Sequence, residues 1–161
     1  MPLLKERNDL KEVKLDLKLS SDGLLECLTH VTHLTKFTIS YGRMWGDPEA
    51  FVNCLIPSSE QPEPLCPELQ HLVIKNIDVK EELLLNLAHS RNDAAFQGTV
   101  PLRVLQCSFD RFSQFTDIEM RLEELRSKGV QVDFKYPVGY QRDEPSLGQQ
   151  SHPNSFDRSV F

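Results

Sequence analysis

Residues 65–77 read LCPELQHLVIKNI. Leucines at 69 and 72 lead into Ile74, and the chain then turns polar at Lys75 and Asn76. The frame is Leu-x-x-apolar-x-apolar, and it occurs three more times. It is met at Leu10, Val13 and Leu15 in LKEVKL, at Leu34, Phe37 and Ile39 in LTKFTI, and at Leu102, Leu105 and Cys107 in LRVLQC. The leading leucines lie 24, 35 and 33 residues apart. A single match means little because leucine is common. A series of four, each opening an apolar run of period two, marks a repeated strand.

The segment after each strand also repeats. Ser20-Ser21-Asp22-Gly23 is rich in helix-capping residues and precedes LLECLTHV. Asp47-Pro48-Glu49 precedes AFVNCLI, with Pro48 suited to the first helical position. Asp78-Val79-Lys80 leads into EELLLNLAHSR, where Leu83, Leu84 and Leu87 are expected on one face. Thr116-Asp117-Ile118-Glu119 has the spacing of a capping box, and Ile118, Leu122 and Leu125 form the stripe behind it. Gly129 fits a helix stop, and Val130, Val132 and Phe134 give a fifth short strand.

The chain therefore divides into a short N-terminal segment (1–9), a strand–helix domain (10–136) and a polar tail (137–161). The tail has no periodicity and is rich in Pro, Gly, Ser and Gln, so it reads as disordered. Two long connections, 56–67 with four prolines and 92–101, are expected as loops.

Strand–helix alternation fits a doubly wound sheet with helices on both faces, or a solenoid with strands on one side and helices on the other. Strands buried on both faces read as continuous apolar runs. Here Glu12, Lys14 and Asp16 alternate with apolar residues, as do Lys36, Thr38 and Ser40, whereas Val73 and Val104 break the rule. One face is expected to be wet. The persistent register adds to this, and the expected fold class is α/β: a short leucine-rich-repeat solenoid of four strand–helix units plus a final strand, with helices on one side of a parallel sheet.

LCPELQHLVIKNI with the helix after it, VPLRVLQCSF, and the closing FTDIEMRLEELRSKGVQVDFKY resemble the irregular leucine-rich repeats of fungal, basidiomycete-type F-box-like proteins. The resemblance covers about residues 10–136. It departs where many such repeats carry a ladder asparagine, since Lys18, Gly42, Ile77 and Asp110 stand there. No Leu-Pro-led helical bundle precedes the first repeat, so the F-box itself is not met. The resemblance implies a protein-binding module, the substrate-recognition part of a ubiquitin ligase receptor, with a Skp-type adaptor as partner only if an F-box lies upstream. The rival readings are a truncated gene product or free-standing repeat scaffold, and a small α/β enzyme.

Composition narrows the classes. Net charge is −6, from 24 acidic and 18 basic residues, which argues against nucleic-acid binding by a basic surface. No apolar run reaches the ~20 residues of a membrane span. The opening MPLLKERNDLKEV is not a signal peptide, so Cys27, Cys54, Cys66 and Cys107 read as reduced thiols of a cytoplasmic or nuclear protein. Neither a nucleophile elbow, an HExxH helix nor a glycine-rich phosphate loop occurs, so no enzyme and no cofactor are expected. Acidic runs such as Lys80-Glu81-Glu82 and Glu123-Glu124 read as solvated helix faces.

Three features remain as candidate sites. Cys27, His30 and His33 share helical spacing, but no fourth ligand is evident. The expectation is a buried cysteine and two helix-end histidines, with no metal. The loop residues Tyr41, Arg43 and Trp45 are of the types that anchor interfaces, or else Trp45 folds back over the core. Phe109, Phe112 and Phe115 carry the same ambiguity, with core packing favoured. The alternate strand residues Lys14, Asp16, Lys36, Thr38, His71, Lys75, Gln106, Ser108, Asp133 and Lys135 line either a protein-binding face or a merely solvated one.

Overall fold

Nine elements alternate along the chain: β1 (Glu12–Leu15), α1 (Ser21–Thr29), β2 (Lys36–Ser40), α2 (Pro48–Leu55), β3 (His71–Ile77), α3 (Glu81–Arg91), β4 (Val104–Phe109), α4 (Ile118–Ser127) and β5 (Gln131–Lys135). The computed structural model describes residues 10–16, 20–40, 47–60, 64–93, 98–113 and 117–138. Residues 1–9, the ladder positions Lys18 and Gly42, Phe115, Thr116 and the tail from 139 lie outside the described residues.

The strands form one parallel sheet in the order β1-β2-β3-β4-β5. Val13, Phe37, Leu72, Leu105 and Val132 stand side by side across it, as do Leu15, Ile39, Ile74, Cys107 and Phe134. The repeated sequence frame is therefore the spatial register itself. The ladder starts one residue after each leading leucine: the carbonyl of Lys11 accepts from Lys36, that of Thr35 from His71, that of Gln70 from Val104 and that of Arg103 from Gln131.

Each helix is the crossover between neighbouring strands, and each packs beside the next, α1 on α2, α2 on α3 and α3 on α4. Crossovers of one hand in a sequential sheet carry every helix to the same face. The inward strand residues and the buried helix residues share one core, which includes Leu24, Phe51, Leu55, Leu84 and Leu125. Phe37 meets Phe51 edge-on at 6.0 Å, joining β2 to α2. Among the described residues the other sheet face carries no helix. Leu34, Leu69 and Leu102 are at most 1% exposed, whereas Leu10, in the same position on the edge strand, is 47% exposed.

The caps follow the sequence in part. Ser20 Oγ accepts from the Gly23 N–H at 3.2 Å, and Asp47 Oδ1 accepts from the Glu49 N–H at 2.9 Å with Pro48 opening α2. Thr116, the first residue of the capping box expected for α4, lies outside the described residues. That helix begins at Ile118 after Asp117, which makes no side-chain cap bond. α4 ends as Gly129 predicts: at φ +84° its N–H donates to the Arg126 carbonyl, and Val130 reaches back to Leu125. This is the Schellman pattern, which a side chain would strain.

α3 departs most from expectation. Its buried stripe is Glu81, Leu84, Leu85, Leu87, Ala88 and Arg91, while Leu83 is only half-buried. Arg91, 1% exposed, closes the stripe and holds the proline-rich connection. Its Nε donates to the Leu55 carbonyl at 2.9 Å, and its Nη2 to those of Leu65 at 2.9 Å and Cys66 at 3.1 Å. Nη1 reaches the Leu69 carbonyl at 3.5 Å. Burial pulls its pKa down to about 10, which leaves it cationic at neutral pH. Cys66 sits at φ +52°, a conformation a cysteine rarely adopts, and its carbonyl accepts from both Arg91 and the Leu69 N–H. A planar fork is needed to meet several carbonyls at once, so lysine is no substitute. Arg91→Met is expected to lower unfolding free energy by about 2–4 kcal/mol, because it strands buried carbonyls. Urea unfolding checks this, and a loss below about 1 kcal/mol would contradict the clamp.

Candidate functional site

The open face is ordered in rows. Glu12, Lys36, His71, Val104 and Gln131 form the first, and Lys14, Thr38, Val73, Gln106 and Asp133 the second. Ser40, Lys75, Ser108 and Lys135 form the third, toward the C-terminal ends of the strands. The sequence-predicted face residues are thus brought together, with Asp16 exposed one residue beyond β1. Thr38 is the exception. It has the correct register but is buried, a short branched side chain on an interior strand between Lys14 and Val73. Lys36 pairs with Glu12 at 2.8 Å and Lys135 with Asp133 at 3.4 Å.

A shallow hollow of about 160 Å³ opens in this face, lined by Val73, Lys75, Gln106, Ser108, Asp133 and Lys135. It is placed by a change of register. Asn76 adopts φ +56°, and the pairing shifts between Lys75 and Ile77. Asparagine tolerates that conformation better than most residues. The Asn76 N–H donates to Ser108 Oγ at 3.1 Å, which ties the bulge to the neighbouring strand.

A second polar group, which sequence reasoning missed, lies where β3, β4 and β5 end. Glu81 was expected on a solvated helix face, yet it is 2% exposed. It lies in helical phase with Leu84, Leu85 and Ala88, and that phase is the signal that could have placed it inside. Arg111 grips it with both terminal nitrogens, Nη1 to Oε1 and Nη2 to Oε2, each at 3.1 Å. Arg111 Nε also meets Asp78 Oδ1 at 3.1 Å, and Nη2 donates to the Val79 carbonyl at 2.6 Å. Hydrogen bonding to Glu81 raises the Arg111 pKa further. The guanidinium lies 5.2 Å from the centre of the Phe109 ring, which stacks on Tyr136 at 5.0 Å and meets Phe134 edge-on at 5.4 Å. Tyr136 Oη donates to Glu81 Oε1 at 3.4 Å, and burial pushes its phenol up. The buried Glu81 carboxylate meets its countercharge in Arg111, while the second carboxylate, Asp78, is largely exposed, which makes the cluster a structural tie. Phe109 is core as expected, but Phe112 is 55% exposed.

The remaining candidates separate. Cys27 is exposed, contrary to expectation, because the buried stripe of α1 runs through Ser21, Leu24 and Leu28. His30 caps α1 and His33 pairs with Glu68 at 2.9 Å, so the three potential ligands do not converge. Among the described residues no cluster of His, Cys, Asp and Glu could hold a metal ion, and no helix is long and apolar enough to cross a membrane. Burial pushes the Cys66 thiol up to about 11 and raises Cys107 as well, so neither thiol ionises at neutral pH. Tyr41, Arg43 and Trp45 lie outside the described residues.

No family model matches the chain, and no curated protein or solved structure matches it either.

The tie makes its own prediction. Arg111→Met leaves the buried Glu81 carboxylate without its countercharge and is expected to cost about 3–5 kcal/mol. The double variant Glu81→Leu, Arg111→Met is expected to be more stable than Arg111→Met alone. Paired urea melts decide this; a double variant less stable than the single would show that the carboxylate does not depend on the arginine.

Proposed function

We propose that the chain is a short leucine-rich-repeat solenoid acting as a protein-binding module, with the open strand face as its contact surface. The observation that carries the reading is the set of in-register polar rows on a sheet of which, among the described residues, only the opposite face is covered. Such an array is preorganised, so a partner binds it without the chain ordering new segments. The hollow of about 160 Å³ supports the same reading. It is smaller than the ~300–1,000 Å³ of small-molecule sites and suits individual side chains of a partner. The resemblance to F-box-like proteins extends the proposal to the substrate-recognition part of a ubiquitin ligase receptor. In that role the adaptor is met through an F-box, and any catalysis belongs to partners.

The experiment is selection of a displayed random peptide library on the purified full chain. Enriched peptides are expected to lose about tenfold or more in affinity on Gln106→Arg, at the centre of the face, and to be indifferent to Glu119→Arg on the exposed side of α4. Failure to enrich any binder, or sensitivity to Glu119→Arg in place of Gln106→Arg, would refute the assignment. The 161-residue chain by itself is expected not to bind a purified Skp-type adaptor; direct binding would overturn the division of roles.

A further inference from the structure

The third row of the open face carries a specific chemistry. Lys75, Ser108 and Lys135 are in register on three adjacent strands. The two lysine backbones are therefore about 10 Å apart with the serine midway, a span their four-carbon stems close easily. Ser108 Oγ accepts the Asn76 N–H, which leaves its O–H as a donor. Lys135 is neutralised by Asp133, whereas Lys75 is exposed and has no ion-pair partner among the described residues. The hollow thus presents two ammonium groups and one carboxylate, a net of one positive charge on a chain whose total is −6.

We infer that this end of the hollow receives the carboxylate of an Asp or Glu side chain in an extended segment of a protein partner. The inference rests on the binding-module reading above. One surplus charge matches one carboxylate; a phosphate dianion would exceed it and face Asp133. The adjoining row, two residues back along the strands, offers Val73 and Gln106. An extended segment repeats its same-face side chains at about 6.6 Å, the spacing of those rows. The acidic residue therefore lies over Lys75, Ser108 and Lys135, and its neighbour two positions away packs on Val73.

The test uses three libraries of nonapeptides with the central residue fixed as Glu, Gln or phosphoserine, applied to the immobilised full chain and to its Lys75→Met variant. The Glu library is expected to bind about three- to fivefold more tightly than the Gln library, the scale of one exposed charge pair. Lys75→Met is expected to bring the Glu and Gln libraries level while keeping the far-UV circular dichroism of the parent. Equal binding of Glu and Gln by the parent chain would overturn the acidic assignment and leave the module standing. Tighter binding of the phosphoserine library would also overturn it, in favour of a phosphate. Retention of none of the three would sink the module reading and this inference with it.

Discussion

Helix α3 is held by a buried charge at each end, and the geometry of the sheet depends on both. Glu81 stands in its first turn and Arg91 in its last, the signs that the helix dipole favours, about 15 Å apart along the axis. Arg91 gathers the carbonyls of the connection that returns the chain to β3. Glu81, through Arg111 and Tyr136, gathers the ends of β3, β4 and β5. As α3 lies between α2 and α4 in the helix layer, fixing it fixes the phase of its neighbours. Buried charges of this kind contribute little when compared with apolar replacements, but they are costly to leave half-made. They make one arrangement of the chain far better than its slipped alternatives.

The same constraint explains why the open face is rigid enough to read as a surface. The described helices lie on one side, so among the described residues the strand side chains on the other side meet little beyond their neighbours in the row. Their positions are set by the ladder and by the tie at the strand ends, not by loops. Charged and polar side chains, with Val73 and Val104 among them, are presented at strand spacing, and the bulge at Asn76 shapes the hollow beside Ser108. A partner meeting that surface finds most of the ordering already done.

Much of this was legible in the sequence, because a period-two pattern with one wet face encodes both strand and sidedness. The Leu-x-x-apolar-x-apolar frame carried element order and register together, since stacking forces equivalent residues side by side. Gly129 and Pro48 announced their helix ends through backbone conformation alone. The polar residues that moved inside were harder. Glu81 sits beside Glu82 in a charged run, and only its phase with Leu84 and Ala88 separates the two. The partners of Arg91 are backbone carbonyls some 22 to 36 residues away, and carbonyls leave no trace in a sequence. Cys27 misled because the buried stripe of α1 runs through Ser21, Leu24 and Leu28, and position 27 stands about 100° round the helix from Leu28. The strand face as a whole looks mixed in charge in the sequence; only the structure puts Asp133 on Lys135 and leaves Lys75 unmatched among the described residues.

The described helices cover one face of the sheet and, among the described residues, the other is open; cysteine accessibility in the native chain tests this most directly. Cys107 and Cys66 are buried and Cys27 is exposed, which supplies internal references for a Lys75→Cys variant. Brief alkylation read by peptide mass spectrometry is predicted to modify Cys27 and the introduced thiol at comparable rates. Cys66 and Cys107 are predicted to stay protected until denaturant is added. Protection of the thiol at position 75 in the native chain would mean that something covers the strand face, and would contradict the account.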